Sequence, residues 1–134
     1  MKDIRTPAPS RETEGRESTA VLNFAEYIKL LMETKQLRRA DVIRDSDLDK
    51  AYVYQIFKGE KRASRNKLLA IAFGMHLDVE ETQRMLRLGR QNELSHGEAR
   101  DALILQGIHR GMSVTQVGEL LDDHGFSTLF PEDK

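Results

Sequence analysis

The segment LRRADVIRDSDLDKAYVYQIFKG, residues 37–59, decides how this chain folds. Its apolar residues recur at helical spacing, which predicts two short helices over residues 38–46 and 49–58. Asp49 is a suitable N-cap for the second helix, and Gly59 is a suitable residue just beyond its C-terminus. These flanks favour a helix for residues 51–57, although AYVYQIF taken alone would also suit a β-strand.

Upstream of this segment, apolar residues between Leu22 and Met32 recur every three or four positions, which predicts an amphipathic helix over 22–35. Asn23 followed by Glu26 has the pattern of a capping box. Residues 1–20 have almost nothing to bury, so we expect them to form a disordered N-terminal arm.

Downstream of this segment, the chain repeats itself. A shift of 35 residues aligns 65–94 with 100–129 without a gap, and each copy predicts helix, turn, helix. Capping boxes are expected at equivalent places, from Asp78 and from Ser113, with a third from Ser95 to Glu98. We therefore expect two tandem helical hairpins. Five positions are identical between the copies: Arg65/Arg100, Leu68/Leu103, Val79/Val114, Leu86/Leu121 and Leu94/Leu129.

The duplication also predicts which side chains are buried. Leu103 and Leu121 of the second copy should be as buried as their counterparts Leu68 and Leu86 in the first. Stacking each hairpin on its neighbour would bury such an apolar stripe.

The composition excludes several classes of protein. The chain has 134 residues and no cysteine, so it has no disulfide framework, no thiolate nucleophile and no cysteine-ligated metal. No apolar run approaches the roughly 18 residues that cross a bilayer, and the N-terminus lacks a signal-peptide pattern, so we expect a cytoplasmic protein. The four histidines share no ligand spacing and no nucleotide-binding fingerprint occurs, so we expect no enzyme, metal or cofactor.

The charge is unevenly distributed although the net charge is only −1. Residues 35–68 contain ten basic and five acidic side chains, whereas residues 91–134 contain three basic and eight acidic ones. A local basic surface of this kind is compatible with a nucleic-acid partner, because the local field matters more than the overall charge.

The third predicted helix has a surface that suits DNA. Val53 and Ile56 define its buried side, and the opposite side combines hydrogen-bonding, cationic and apolar groups. Such a mixture can read base edges in a major groove. A protein partner is the alternative, since aromatic residues such as those at 52, 54 and 57 are enriched in protein interfaces. The exposed side carries Lys50, Ala51, Tyr54, Gln55 and Lys58.

Residues 22–77 resemble the Cro and phage-repressor type of helix-turn-helix, the xenobiotic-response-element family. The resemblance rests on the apolar residues of the second and third helices, on Gly59 and on Ser64 as the cap of a fourth helix. Asp47 stands where the family has a glycine, and aspartate tolerates the left-handed region better than most residues. The resemblance implies that Lys50, Ala51 and Gln55 face bases, and that Arg39, Lys58, Lys61 and Arg62 contact phosphates.

Together these patterns predict an all-α protein of about seven helices with a lambda-repressor-like core. The predicted organisation is an arm over 1–20, a helix-turn-helix domain with the first hairpin over 21–94, and a C-terminal hairpin with a short tail over 95–134. The predicted function is that of a sequence-specific regulator of double-stranded DNA that acts as a homodimer. The alternative is an adaptor that binds a regulatory protein through the aromatic face of the third helix and the acidic hairpin.

Overall fold

Five of the helices in the described part of the chain begin at a residue whose side chain caps the helix N-terminus. The computed structural model describes residues 22–130, and this part contains seven α-helices and no strand, which confirms the all-α prediction. The predicted arm over 1–20 lies outside the described residues. The helices are α1 (Phe24–Thr34), α2 (Arg39–Ser46), α3 (Lys50–Phe57), α4 (Arg65–Gly74), α5 (Val79–Leu88), α6 (Ala99–His109) and α7 (Val114–Asp123).

Three of the predicted capping boxes are present, at the N-termini of α1, α5 and α7. In the first, the Asn23 side chain accepts from the Glu26 amide at 2.8 Å, and the Glu26 carboxylate accepts from the Asn23 amide at 3.0 Å. Each box satisfies two amides that the helix itself leaves unpaired.

The box predicted at Ser95 is wrong. The N-cap of α6 is Glu98, and its side chain makes no capping hydrogen bond. The Ser95 hydroxyl instead accepts from the Gly97 amide at 3.2 Å, and the Ser95 amide donates to the Asp101 carboxylate at 3.0 Å. The turn before α6 is therefore organised by Asp101 and not by a local box.

Helix α4 lies at the centre of the molecule, where it packs against α2, α5 and α7. Its residues from Leu68 to Gly74 are all buried, because neighbours cover it on several sides. At its C-terminal end α4 crosses α2 so closely that a Cβ at Gly74 would stand 2.7 Å from the Ser46 Cβ and 2.8 Å from the Ser46 amide nitrogen. This crossing fixes the position of α2, and through the turn after it the position of α3.

The two predicted hairpins are present as α4–α5 and α6–α7, and equivalent arginines hold equivalent turns. Arg65 donates to the carbonyl oxygens of residues 92 and 93 at 2.9 and 3.0 Å. Arg100 donates to the carbonyl oxygens of residues 127 and 128, both at 3.0 Å. Since each pair lies 27 and 28 residues after its arginine, the two hairpins repeat one another in their side-chain contacts as well as in sequence.

The same two arginines join the hairpins by reciprocal contacts. Arg65 makes a bidentate ion pair with Asp101, at 3.1 and 2.8 Å, and Arg100 donates to the Asn66 side chain at 3.1 Å. Asn66 and Asp101 are equivalent positions of the repeat, so each arginine contacts the other copy's residue at that position. The hairpins are therefore related by an approximate internal two-fold axis.

Burial in the second hairpin departs from the prediction at one position. Leu121 is fully buried like its counterpart Leu86, but Leu103 is only half-buried whereas Leu68 is 1% exposed. The main neighbours of α6 are α5 and α7, and none of the seven described helices covers α6 as α2 covers α4. The expectation for Leu103 was wrong because the repeat duplicates the hairpin but not the helices packed on it.

Candidate nucleic-acid interface

Two short helices, α2 and α3, form the helix-turn-helix that the sequence predicts. Asp47 ends α2 in the left-handed conformation, with φ 59° and ψ 37°. Asp49 then caps α3, its carboxylate accepting from the Tyr52 amide at 3.2 Å. Gly59 follows α3 with φ 79°, a conformation that glycine adopts without strain. The turn between α2 and α3 is thus three residues long, a length typical of the helix-turn-helix motif.

The buried side of α3 anchors it to the core. Val53 and Ile56 are fully buried, and Phe57 is 8% exposed. The aromatic ring of Phe57 therefore belongs to the core and is not part of the surface that the sequence offered as an aromatic face. Tyr52 is half-buried beside it.

The opposite side of α3 brings five of the predicted site residues together in one stripe, which we call the α3 stripe. Its members follow the i, i+4 spacing of a helix face, and all are exposed except the half-buried tyrosine. The acidic residues nearest to the stripe in the sequence are Asp49 and Glu60, one beyond each end. The members are Lys50, Ala51, Tyr54, Gln55 and Lys58.

Helix α2 contributes Arg39 to the same surface. The Arg39 guanidinium lies 4.9 Å from the centre of the Tyr54 ring, and the Lys50 ammonium lies 5.8 Å from it. Cations over an aromatic face are attracted by its electron density, so Arg39 and Lys50 restrict how the ring can turn. The sequence could not show this contact, because it depends on the angle between α2 and α3.

The other two predicted site residues, Lys61 and Arg62, lie in the loop between α3 and α4 and are both exposed. The Lys61 ammonium stands 5.2 Å from the centre of the Tyr52 ring. The Arg62 guanidinium donates to the carbonyl oxygen of Arg90 at 2.8 Å. These contacts link the loop to Tyr52 of α3 and to the end of α5.

The cations on and around α3 have no carboxylate partner among the described residues, whereas several other cations of the molecule do. Elsewhere, Lys35 pairs with Glu81, Arg65 with Asp101 and Arg87 with Glu93. Within residues 22–130, in contrast, no carboxylate forms an ion pair with Arg39 of α2, with a cation of the α3 stripe or with a cation of the loop after it. The unpaired cations are Arg39, Lys50, Lys58, Lys61 and Arg62.

The carboxylates of α2 are already engaged by neighbouring cations. Arg44 donates to Asp45 at 2.8 Å and to Asp41 at 3.1 Å. The hydrogen bond from Arg44 is the main cause that lowers the pKa of Asp45, and the same bond raises the pKa of Arg44. His76, from the turn after α4, also lies 3.3 Å from Asp45. These acids are therefore occupied within their own cluster.

The described residues contain no group of three or more side chains arranged to hold a metal ion. None of the helices between residues 22 and 130 is long and apolar enough to span a membrane. Comparison of the chain with protein-family models, with curated proteins and with solved structures finds no match.

Proposed function

We propose that this protein is a sequence-specific transcriptional regulator of double-stranded DNA, of the Cro and phage-repressor type, that acts in the cytoplasm as a homodimer. One observation carries the proposal. Five cations without carboxylate partners among the described residues surround an exposed helix whose outer side holds Ala51, Tyr54 and Gln55. Phosphate groups are the natural counterions for such a surface, and base edges suit its centre.

In this proposal α3 enters the major groove. Gln55 can accept from and donate to one adenine edge, while the methyl group of Ala51 can contact a thymine methyl. Lys50 is close enough to the Tyr54 ring to be held towards the bases. Arg39, at the start of α2, and Lys58, Lys61 and Arg62, after the stripe, would contact phosphates on either side of the groove.

The dimer follows from the length of α3. Eight residues at about 1.5 Å each span about 12 Å, which covers only a few base pairs. Proteins with a short recognition helix reach specificity by binding two half-sites as a dimer.

Burial favours DNA over the alternative of an adaptor that binds a protein through aromatic residues. Phe57 is buried, and Tyr52 and Tyr54 are each half-buried with a cation over the ring, so the aromatic surface of α3 is reduced to parts of two rings. Two half-buried rings that each lie beneath a cation resemble a nucleic-acid surface more than the apolar centre of a protein interface.

The test is a titration of binding against salt, first with genomic fragments and then with the duplex selected from them. Gln55→Ala should cost about 1–3 kcal/mol on that duplex and relax specificity at one base pair. Lys58→Ala should weaken binding to every sequence alike and flatten the log–log salt dependence by about one unit. Arg110→Ala, an exposed cation at the end of α6, is the matched control and should change neither.

The adaptor would give a different ranking. Tyr54→Ala would then abolish capture of one protein partner, while Lys58→Ala would matter little. That result, together with no duplex bound at low salt at micromolar concentration, would contradict the proposal.

A further inference from the structure

A small cavity lies between the N-terminus of α1, the loop after α3 and the C-terminus of α5. Its volume is about 210 Å³, and its floor is formed by Phe24, Ala63, Leu68 and Leu88. Leu68 and Ala63 belong to the buried core, whereas Phe24 and Leu88 are half-exposed. The cavity is therefore an apolar recess that opens from the core to the surface.

The rim of this cavity is cationic. The charged side chains that line it are Lys61, Arg62 and Arg90, and no carboxylate of residues 22–130 lines it. The hydrogen bond from Arg62 to the Arg90 carbonyl oxygen uses one of the five N–H groups of the guanidinium and holds the side chain at the rim. The remaining N–H groups can bind an anion whose apolar part occupies the recess.

Gly89 keeps the recess open. A Cβ at this position would stand 2.5 Å from a methyl carbon of Leu68 and 3.5 Å from the Phe24 ring, both of which belong to the floor. The backbone of Gly89, with φ −83° and ψ 5°, suits any residue, so conformational freedom does not explain the glycine. A larger residue at this position would instead fill the space between the Leu68 and Phe24 side chains.

We propose that this cavity binds a small amphipathic carboxylate, with the apolar part on Phe24 and Leu68 and the carboxylate on Lys61 and Arg62. The volume sets the size of the ligand. A cavity of about 150 Å³ accommodates benzene, whereas drug-sized ligands occupy about 300 Å³ or more. A linear carboxylate of about eight carbons or a short aryl carboxylate fits between these limits.

The site connects ligand binding to the surface proposed for DNA. Lys61 and Arg62 line the cavity and are also among the cations assigned to phosphates. A bound carboxylate would neutralise them and compete with the DNA backbone, so the ligand would act as an inducer that releases DNA. This second step rests on the proposed function, whereas binding of the ligand itself does not.

The direct test is calorimetric titration of the full chain with octanoate in the absence of DNA. We expect saturable binding at one site with a Kd below about 1 mM. The probe 1-octanol has the same chain without the charge and should bind at least about tenfold more weakly, since it loses a charge-assisted hydrogen bond. Octylammonium, with the opposite charge, should not bind.

Two variants separate the cavity from the α3 stripe. Gly89→Ala should weaken octanoate binding at least about tenfold and leave DNA binding unchanged, because the added methyl group enters the cavity and lies away from α3. Lys58→Ala should weaken DNA binding and leave octanoate binding unchanged, since Lys58 does not line the cavity. Lys61→Ala, at an exposed position that does not endanger the fold, should weaken both.

The outcomes are distinct. No saturable binding of octanoate, equal affinity for 1-octanol, or unchanged affinity in both Gly89→Ala and Lys61→Ala would overturn the proposal. Binding that Lys61→Ala weakens, in a protein that binds no duplex, would support the cavity and contradict the proposed function. Binding of octanoate together with displacement of DNA would support both.

Discussion

Two arginines, Arg65 and Arg100, join the two hairpins to one another. Each uses the planar fork of its guanidinium to bind two backbone carbonyl oxygens of one turn and the side chain of the other hairpin. A lysine has one ammonium in place of the fork and could not make these contacts together. The requirement for arginine at both positions is therefore geometric.

The pair of Arg65 with Asp101 is the more buried of the two links, with 8% of the Asp101 side chain exposed. Asp101→Asn would remove the charge and one of the two acceptor oxygens, and would leave Arg65 partly unpaired. We expect a loss of about 2–3 kcal/mol in the free energy of unfolding, since breaking a buried pair costs several kcal/mol and Arg65 retains some contact with solvent. Urea denaturation at pH 7 measures it.

The repeat supplies a matched variant for this test. Asn66 is the counterpart of Asp101 in the first copy, and its side-chain oxygen already accepts a hydrogen bond from Arg100. Asn66→Asp would give Arg100 a carboxylate partner, as Arg65 has in Asp101. We expect no loss and a gain of up to about 1 kcal/mol. A loss as large as that of Asp101→Asn would contradict the equivalence of the two links.

The stability of the protein should also depend on pH through Asp101. Burial raises the pKa of this carboxyl, but the hydrogen bonds from Arg65 and the Ser95 amide and the nearby positive charges outweigh it, so the pKa is lowered overall. A lowered pKa in the folded state contributes stability that is present above the unfolded pKa of about 3.9 and is lost as the pH falls through the folded pKa. The difference in stability between wild type and Asp101→Asn should therefore be constant from pH 7 to pH 5 and narrow below about pH 4. A difference that widens on acidification would show that the folded pKa is raised.

At the scale of elements, the crossing of α2 and α4 determines where α3 stands. Gly74→Ala would place a methyl group 2.7 to 2.9 Å from Ser46 atoms that include its backbone, so α2 must move. We expect a loss of about 1–3 kcal/mol in thermal unfolding and weaker DNA binding, because overpacking a close helix contact shifts the backbone.

Gly118 in α7 is the control for Gly74. A Cβ at Gly118 meets nothing closer than a Thr128 methyl carbon at 4.0 Å, so Gly118→Ala adds helix propensity without a clash. It should stabilise the protein by roughly 0.5–1 kcal/mol and leave DNA binding unchanged. Equal effects at the two glycines would mean that the crossing has room for a side chain.

The sequence predicted those elements whose signals are local. The capping boxes at Asn23, Asp78 and Ser113 were predictable because each is closed within four residues. The box at Ser95 was wrong because Asp101, which also binds Arg65 from another helix, competes for the Ser95 amide. Local pattern cannot show such competition.

The sequence predicted the site residues that lie on α3, but it did not predict the contacts that residues of other helices make with them. Helical spacing alone placed Lys50, Tyr54 and Gln55 on one side. The contact of Arg39 with Tyr54 and the cavity between Phe24 and Gly89 join residues far apart in the chain, and they depend on how α1, α2 and α5 pack. Leu103 shows the same dependence, since its burial is decided by the absence of a helix over α6.

At the scale of the whole molecule, the exposed charges of α3 and α7 have opposite signs. Helix α7 carries acidic residues that lie outside the α3 stripe, at Glu119, Asp122 and Asp123, all exposed. Their charge would repel a DNA backbone brought against α7. If the protein binds DNA as proposed, its orientation is therefore restricted to one that presents α3 and turns α7 outward, where a second copy or a regulatory protein can reach it.

This orientation makes a prediction about the operator. If two copies bind as a symmetric dimer, their α3 helices enter successive major grooves on one side of the duplex, so the half-sites lie about 10–10.5 base pairs apart, centre to centre. Inserting five base pairs between the half-sites turns one of them to the opposite side and should reduce affinity at least about a hundredfold, because the two copies can no longer bind together. Mobility-shift titration with the native, the spaced and a single-half-site duplex measures this, and sedimentation of each complex gives the number of copies bound. A protein that binds the single half-site as tightly as the full operator, with one copy per duplex, would act as a monomer, and its specificity would have to come from α3 and the surrounding phosphate contacts alone.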